Sequence, residues 1–423
     1  MKADLVIKNI GQLVTMAGPA KPRTSKEISD FEIIKDGCIV VVGETIAAVG
    51  SENILKDYEI TSNTKVYDAQ DKCVTPGLVD PHVHLIFHGW RENELALKLE
   101  GLSYIEILER GGGILSTVEK TRKASEEELF NFVKVLLDKM IAYGTTTAEA
   151  KSGYGLTLED ELKSLRVIRD LNKEHYIDLI PTFLGAHAVP IEYIGKREEY
   201  VDLIVEEMIP RVAEENLAEF CDVFCEDGVF TVDDARRILN TGKKYGLKPK
   251  IHADELVPFG GAELAAEVGA VSAEHLLCVS DAGIKAMAEK GVIANLLPGT
   301  PFSLMLDNYA LARKMLEAGV PVALATDLNP GTSATESLQI IMNLASVMQK
   351  MTSEEIMTGV TINAAYSVGR GDEIGSLEVG KLADIVIWDS ENIDFLMYHF
   401  GVNLAHKVFK RGKLVAENGQ ILK

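Results

Sequence analysis

Cysteine is scarce in this chain: five residues in 423, at Cys38, Cys73, Cys221, Cys225 and Cys278. Their number is odd, no Cys-x-x-Cys pair occurs, and only Cys221 and Cys225 lie close together. The sequence therefore offers no disulfide framework and no thiolate metal site; reduced, buried thiols in a reducing compartment are expected, with Cys221 and Cys225 packed within a strand. Long apolar runs are missing as well. None reaches the roughly 18 residues of a membrane-spanning helix. The opening Met1-Lys-Ala-Asp-Leu-Val-Ile-Lys8 lacks the apolar core of a secretory signal. A cytoplasmic location without a membrane partner is expected. Cations are in deficit: 43 Lys and Arg face 64 Asp and Glu, a net charge of −21. That balance argues against nucleic acid as a partner. It also means that an anionic substrate needs cations placed locally in its pocket. Finally, Gly111-Gly-Gly113 is followed by no Gly-Lys-Ser/Thr, which excludes a phosphate-binding loop and leaves a close-packed loop near the site.

What is present is an ordinary soluble composition, 47% hydrophobic and 25% charged, long enough for more than one domain. The first 71 residues carry short strand-like runs, Leu5–Asn9, Cys38–Val42 and Thr45–Val49. The last part does the same at Ala383–Asp389, Ala405–Phe409 and Lys413–Gly419. One small β-sandwich built from both termini, residues 1–71 and 371–423, is expected. Between them, residues 72–370 alternate apolar strand candidates with amphipathic helical runs such as 126–142 and 158–175. The eight candidates begin with Cys73–His84 and end with Val322–Asp327. Eight such repeats predict an α/β fold, a (β/α)8 TIM-type barrel. A doubly wound sheet is the alternative, weakened because no Gly-x-Gly-x-x-Gly follows the first strand.

The chemical residues cluster at the ends of these strands, where a barrel builds its active site. His82 and His84 follow the first candidate strand one residue apart, a spacing that puts two side chains on one face. His252 and Asp327 end two later candidates. Three neutral imidazoles and a carboxylate make a single-metal site with room for water. The His-Glu-x-x-His helical motif is absent. Glu255 and His275 read as acid–base groups beside the metal. Glu226 lies near the end of the fourth strand, and no lysine occurs there to bridge a second metal. Arg91, seven residues past His84, is the local cation suited to a carboxylate; the plainer alternative is an ion pair with Glu92 or Glu94. Lys151 adds positive potential or makes a structural salt bridge.

The runs Val79-Asp-Pro-His-Val-His84, Arg91-Glu-Asn-Glu94, Gly111-Gly-Gly-Ile-Leu-Ser-Thr117, Glu149-Ala-Lys-Ser-Gly-Tyr-Gly155, Phe183-Leu-Gly-Ala-His-Ala188, His252-Ala-Asp-Glu255, Ala273-Glu-His275 and Ala325-Thr-Asp-Leu-Asn-Pro-Gly-Thr332 carry a resemblance. Across essentially the whole chain it resembles the amidohydrolase superfamily and, within it, the imidazolonepropionase family. Val83 and Trp90 depart mildly from the family pattern without removing a functional group. The resemblance implies one Zn2+ or Fe3+ per subunit held by His82, His84, His252 and Asp327. It implies substrate contacts from Arg91, Tyr154, His187, Glu255, Asn329, Gly331 and Thr332, and catalytic roles for Glu255, His275 and Asp327. The implied reaction is hydrolysis of the ring amide of 4-imidazolone-5-propanoate, a small anionic substrate, to N-formimidoyl-L-glutamate in histidine degradation, by a homodimer. The alternatives are another cyclic amidohydrolase or a deaminase of a small heterocycle, and a non-catalytic scaffold of the same fold.

Overall fold

The computed structural model describes residues 1–102, 106 and 110–422. Eight parallel strands run in chain order around one sheet: Leu78–Asp80, Thr145–Lys151, Asp178–Ala186, Phe220–Cys225, Lys248–Ala253, Ser272–His275, Ile293–Leu296 and Val322–Leu324. The first and last are joined just beyond their ends. Asp327 N–H donates to the His82 carbonyl at 3.1 Å, and His84 N–H to the Leu328 carbonyl at 3.0 Å. The Asp80 carboxylate adds the Thr326 N–H at 3.0 Å and hydroxyl at 2.6 Å. The sheet thus closes on itself as a barrel, not as the open doubly wound alternative.

The helices between strands start where local chemistry dictates. Ser125 and Glu128 form a reciprocal capping box ahead of Glu126–Ala142, and Thr231 and Asp234 do so ahead of Val232–Lys244. Each cap is worth about 1 kcal/mol. Leu129, Val133, Leu136, Leu137 and Met140, spaced three and four apart, bury the inner face of the first of these helices.

The termini form two further sheets. Thr45–Ser51, Gly37–Val42, Leu5–Ile10 and Lys65–Asp68 make one. Gln420–Ile421, Lys413–Glu417, Ala405–Lys410, Ile385–Trp388, Cys73–Pro76, Gln12–Val14 and Ile33–Ile34 make the other. Leu5, Ile7, Ile39 and Val41 from the first share a core with Leu13, Val74, Ile385 and Phe409 from the second. Faces of alternating apolar residues are what two packed sheets require.

One expectation needs correction. Cys73–His84 is not a single strand. Cys73–Pro76 pairs antiparallel with Ile385–Trp388 in the terminal sheet, and only Leu78–Asp80 enters the barrel. Gly77 is the seam: a Cβ there would lie 2.3 Å from Thr146 Oγ1 on the neighbouring strand. His82 and His84 consequently sit beyond the strand, in irregular backbone held on one side by the 327–328 bonds. On the other, Lys151 N–H donates to the Val83 carbonyl at 3.0 Å. No described helix is long and apolar enough to cross a membrane.

Candidate active site

His82, His84, His252 and Asp327 converge at the carboxyl end of the barrel, all buried. The Nε2 atoms of His82 and His252 each lie 3.2 Å from His84 Nε2. Asp327 Oδ1 lies 3.5 and 3.4 Å from the Nε2 atoms of His82 and His84. Four ligand atoms set tetrahedrally about 2.1 Å from an ion would be about 3.4 Å apart. The tautomers agree with a metal. His82 Nδ1 is 3.1 Å from Glu274 and His252 Nδ1 is 3.1 Å from Asp222, so both rings donate outward and turn Nε2 lone pairs inward. Asp327 Oδ1 is buried with no hydrogen-bond donor among the described residues, while Thr300 Oγ1 donates to its Oδ2 at 2.5 Å. Inward lone pairs and an orphaned carboxylate oxygen fit a divalent cation. His275 also lies close: it offers a ligand atom within 4.8 Å of those of His82 and His252.

Burial sets the electrostatics. It drives the His82 and His84 pKa values well below the ordinary range, aided for His82 by Lys151 and for His84 by His187, which keeps both rings neutral as ligands must be. It raises Asp327 to about 6 despite the Thr300 hydrogen bond. Glu255 is pushed up to about 8, by burial first and then by Asp327 and Glu226. His187 is brought down to about 3 by burial and His252.

The remaining candidates surround this centre. His187 stacks on His84 at 4.7 Å and gives its Nδ1 proton to the Gly153 carbonyl at 3.0 Å, leaving Nε2 as an acceptor. Tyr154 is buried, its ring 5.2 Å from His187 and 6.2 Å from His84. His275 Nε2 is 3.6 Å from Glu255 Oε2. Arg91 is buried with its guanidinium against Gly331; a Cβ on Gly331 would fall 1.2 Å from Arg91 Nη2. Glu94 lies 3.6 Å from Arg91 Nε and takes the Gly113 N–H at 2.7 Å, which brings the triple-glycine loop to the site. The Asn329 side chain is committed to its own turn: Oδ1 accepts from the Gly331 and Thr332 amides, and Nδ2 donates to the Asp327 carbonyl and Thr332 Oγ1. Asn329 and Thr332 therefore shape the loop on which Arg91 rests. Asp327 and His275 take left-handed backbone, φ +53° and +68°, a strained state that clusters at functional sites.

A layer of buried charge beneath the ligands escaped the sequence reading. Lys151 sits between Asp222 at 2.6 Å and Glu149 at 2.8 Å, so its salt-bridge reading holds. Lys250 reaches Glu149 and the Pro81 carbonyl, both at 2.9 Å. Burial alone would lower the Lys151 pKa, but Asp222, Glu149 and Glu274 outweigh it and hold the ammonium charged. The alternation was the available signal: Glu149 and Lys151, Lys250 and His252, Ser272 and Glu274 are each two apart on a strand and share its inner face. Cys38, Cys73, Cys221 and Cys225 are buried free thiols, and Cys278 is half-buried.

Comparison with known proteins agrees with this architecture. Residues 73–415 match the model of the amidohydrolase family. Imidazolonepropionase of Alkaliphilus metalliredigens is 55% identical over 422 residues, all of both chains. That of Shouchella clausii is 54% identical over 99% of this chain and 94% of its own, and that of Streptococcus gordonii 52% over all of both. Among solved structures, an atrazine chlorohydrolase from Arthrobacter aurescens, complexed with zinc and atraton, aligns with TM-score 0.75 at 16% identity over 99% and 96% of the two chains. Guanine deaminase of E. coli aligns with TM-score 0.73 at 16% identity over 98% and 99%. At such identities these structures speak for the fold alone. The chain belongs to the imidazolonepropionase family of the amidohydrolases.

Proposed function

We propose that this site opens the ring of 4-imidazolone-5-propanoate by hydrolysing its amide, giving N-formimidoyl-L-glutamate. The chain is a hydrolase of a cyclic amide carbon–nitrogen bond. The observation that carries the specific substrate is the seating of Arg91 on the loop that begins at Asp327. Its backbone N–H donates to Pro330 at 3.2 Å and its guanidinium lies on Gly331. A protein of net charge −21 thereby holds a planar bidentate cation beside the metal quartet, matched to a carboxylate tail.

His82, His84, His252 and Asp327 would hold one metal ion, Zn2+ or Fe3+, since imidazole and carboxylate suit both. When bound, it supplies a polarised ring carbonyl and a water acidified toward pKa 7. Asp327 takes the proton of the attacking water at Oδ1, with Thr300 steadying Oδ2. His275 donates a hydrogen bond to the developing oxyanion. Glu255, a neutral acid near pH 7, delivers a proton to the departing ring nitrogen. His187 accepts from a ring N–H through Nε2, and Tyr154 fixes the ring plane. The deciding experiment follows loss of the imidazolone ultraviolet absorbance, with metal content and ammonia measured on one sample. Turnover without ammonia is expected. Ammonia release would point to a deaminase, and no turnover by metal-replete protein would sink the reading.

A further inference from the structure

Glu226 lies just past the fourth barrel strand and is 1% exposed. Its carboxylate reaches the turn after the fifth strand. Oε2 accepts the N–H groups of Glu255 at 3.0 Å and Leu256 at 2.8 Å, and Oε1 accepts the Asp227 N–H at 3.0 Å. The Glu226 backbone is itself fixed: its N–H donates to Phe230 at 3.2 Å and its carbonyl accepts from Val229 at 3.0 Å. The preceding residue, Asp254, has φ +50° and gathers the amides of Phe259, Gly260, Gly261 and Ala262 on its own carboxylate. Cys278 Sγ contacts the carbonyls of Glu255 and Leu256 at 3.7 and 3.4 Å. Glu255 is thus clamped through its main chain, and its side chain is left to point at His275.

We infer that Glu226 is a positioning residue that aims the Glu255 carboxyl at the reacting ring, an inference that rests on the ring-opening reading above. A carboxylate is the group the geometry demands, because three N–H donors from two segments converge on it and it has acceptors on both oxygens. Glutamine in its place must turn its NH2 toward either the Asp227 amide or the 255–256 turn, so one donor faces a donor. Loosening Glu255 by a fraction of an ångström slows proton delivery without altering how the substrate tail or the metal is held.

The test is a double-mutant cycle on metal-replete enzyme with 4-imidazolone-5-propanoate. Glu226→Gln is expected to lower kcat by about ten-fold or more, with KM within about two-fold and metal content unchanged. In a Glu255→Gln background the same substitution is expected to change kcat by less than about two-fold, because the residue through which it acts is already gone. Amide hydrogen exchange supplies a readout independent of activity. Exchange at Glu255 and Leu256 is expected to quicken about ten-fold or more in Glu226→Gln while residues 80–84 keep wild-type protection. Additive effects in the cycle, or unaltered exchange at the turn, would overturn the inference. Loss of metal or general protection would mark a merely structural role and overturn it too. If the wild type leaves the imidazolone intact, the ring-opening reading falls, and the exchange arm still decides whether Glu226 holds the turn.

Discussion

In the proposed mechanism Asp327 carries two duties, metal ligation and proton acceptance, and its neighbours leave both to one oxygen. Thr300 occupies Oδ2, so Oδ1 is the oxygen that faces His82 and His84. Arg91 packs on Gly331 with Nε 3.6 Å from Glu94, and the proposed role assigns its terminal nitrogens to the substrate carboxylate. Arg91→Ala is expected to raise KM by about 10- to 100-fold, the loss of one charge-assisted pair of about 1.5–3 kcal/mol, with kcat little changed. Steady-state kinetics decides it, and an unaltered KM would remove Arg91 from substrate binding. Lys151 is a structural counterpart. Lys151→Met removes the cation shared by Glu149 and Asp222, leaving Lys250 beside Glu149 and the His252 N–H on Asp222, which is expected to cost about 3–5 kcal/mol of unfolding free energy by denaturant titration. The convergence of His82, His84, His252 and Asp327 was legible, because histidine and aspartate at strand ends have few other reasons to be there. Asp222, Glu274 and Thr300 were not. Each acts by orienting another side chain, and which ring a carboxylate faces depends on strands far away in sequence.

At the scale of elements, the long helices were legible to within a residue. Glu126–Ala142 matches its expected span because capping and apolar spacing are both local. The first strand was not, since the split at Gly77 is set by Thr146 across the sheet. Helix Leu158–Glu174 shows how an element end adds a pH response. Its capping residue, His175, is half-buried with its side chain 2% exposed, Nε2 3.1 Å from Asp138 and Nδ1 accepting the Ile177 N–H at 3.1 Å. Burial lowers its pKa below 6.5, outweighing the Asp138 contact. The unfolded chain then takes up a proton that the folded chain refuses. His175 therefore contributes stability above pH 6.5 that is lost as pH falls through its folded value. His175→Asn lacks this titration. The stability gap between wild type and variant is expected to narrow from pH 7.5 to 5.5 in chemical denaturation, and a constant gap would refute the assignment.

Taken as a whole, the molecule is laced together by its proposed metal ligands. They arrive from three places along the chain, 82–84, 252 and 327, and the barrel closes through the backbone of two of them. Three imidazole Nε2 atoms gathered at 3.2 Å would be held together by a bound cation. A free ion at about 1,000 times its Kd stabilises the folded state by about 4 kcal/mol. Stripping the protein with a chelator is expected to lower Tm by several degrees and to sharpen again on adding zinc or iron. Calorimetry that gives the same Tm with and without metal would contradict the quartet. Residues 1–71 and 371–423 are expected to unfold together with the barrel in one transition, since Cys73–Pro76 and Leu78–Asp80 are separated by a single residue.

That seam also imposes an order on biosynthesis. Cys73–Pro76 is hydrogen-bonded to Ile385–Trp388, which leaves the ribosome more than 300 residues later by their numbering. Every proposed ligand has been translated before the strand that pairs with Cys73–Pro76 exists. Metal capture is therefore expected to wait until residues 385–388 have been made. A chain ended at Ala383 is expected to recover little metal despite carrying all four ligands, which elemental analysis of the purified fragment would show.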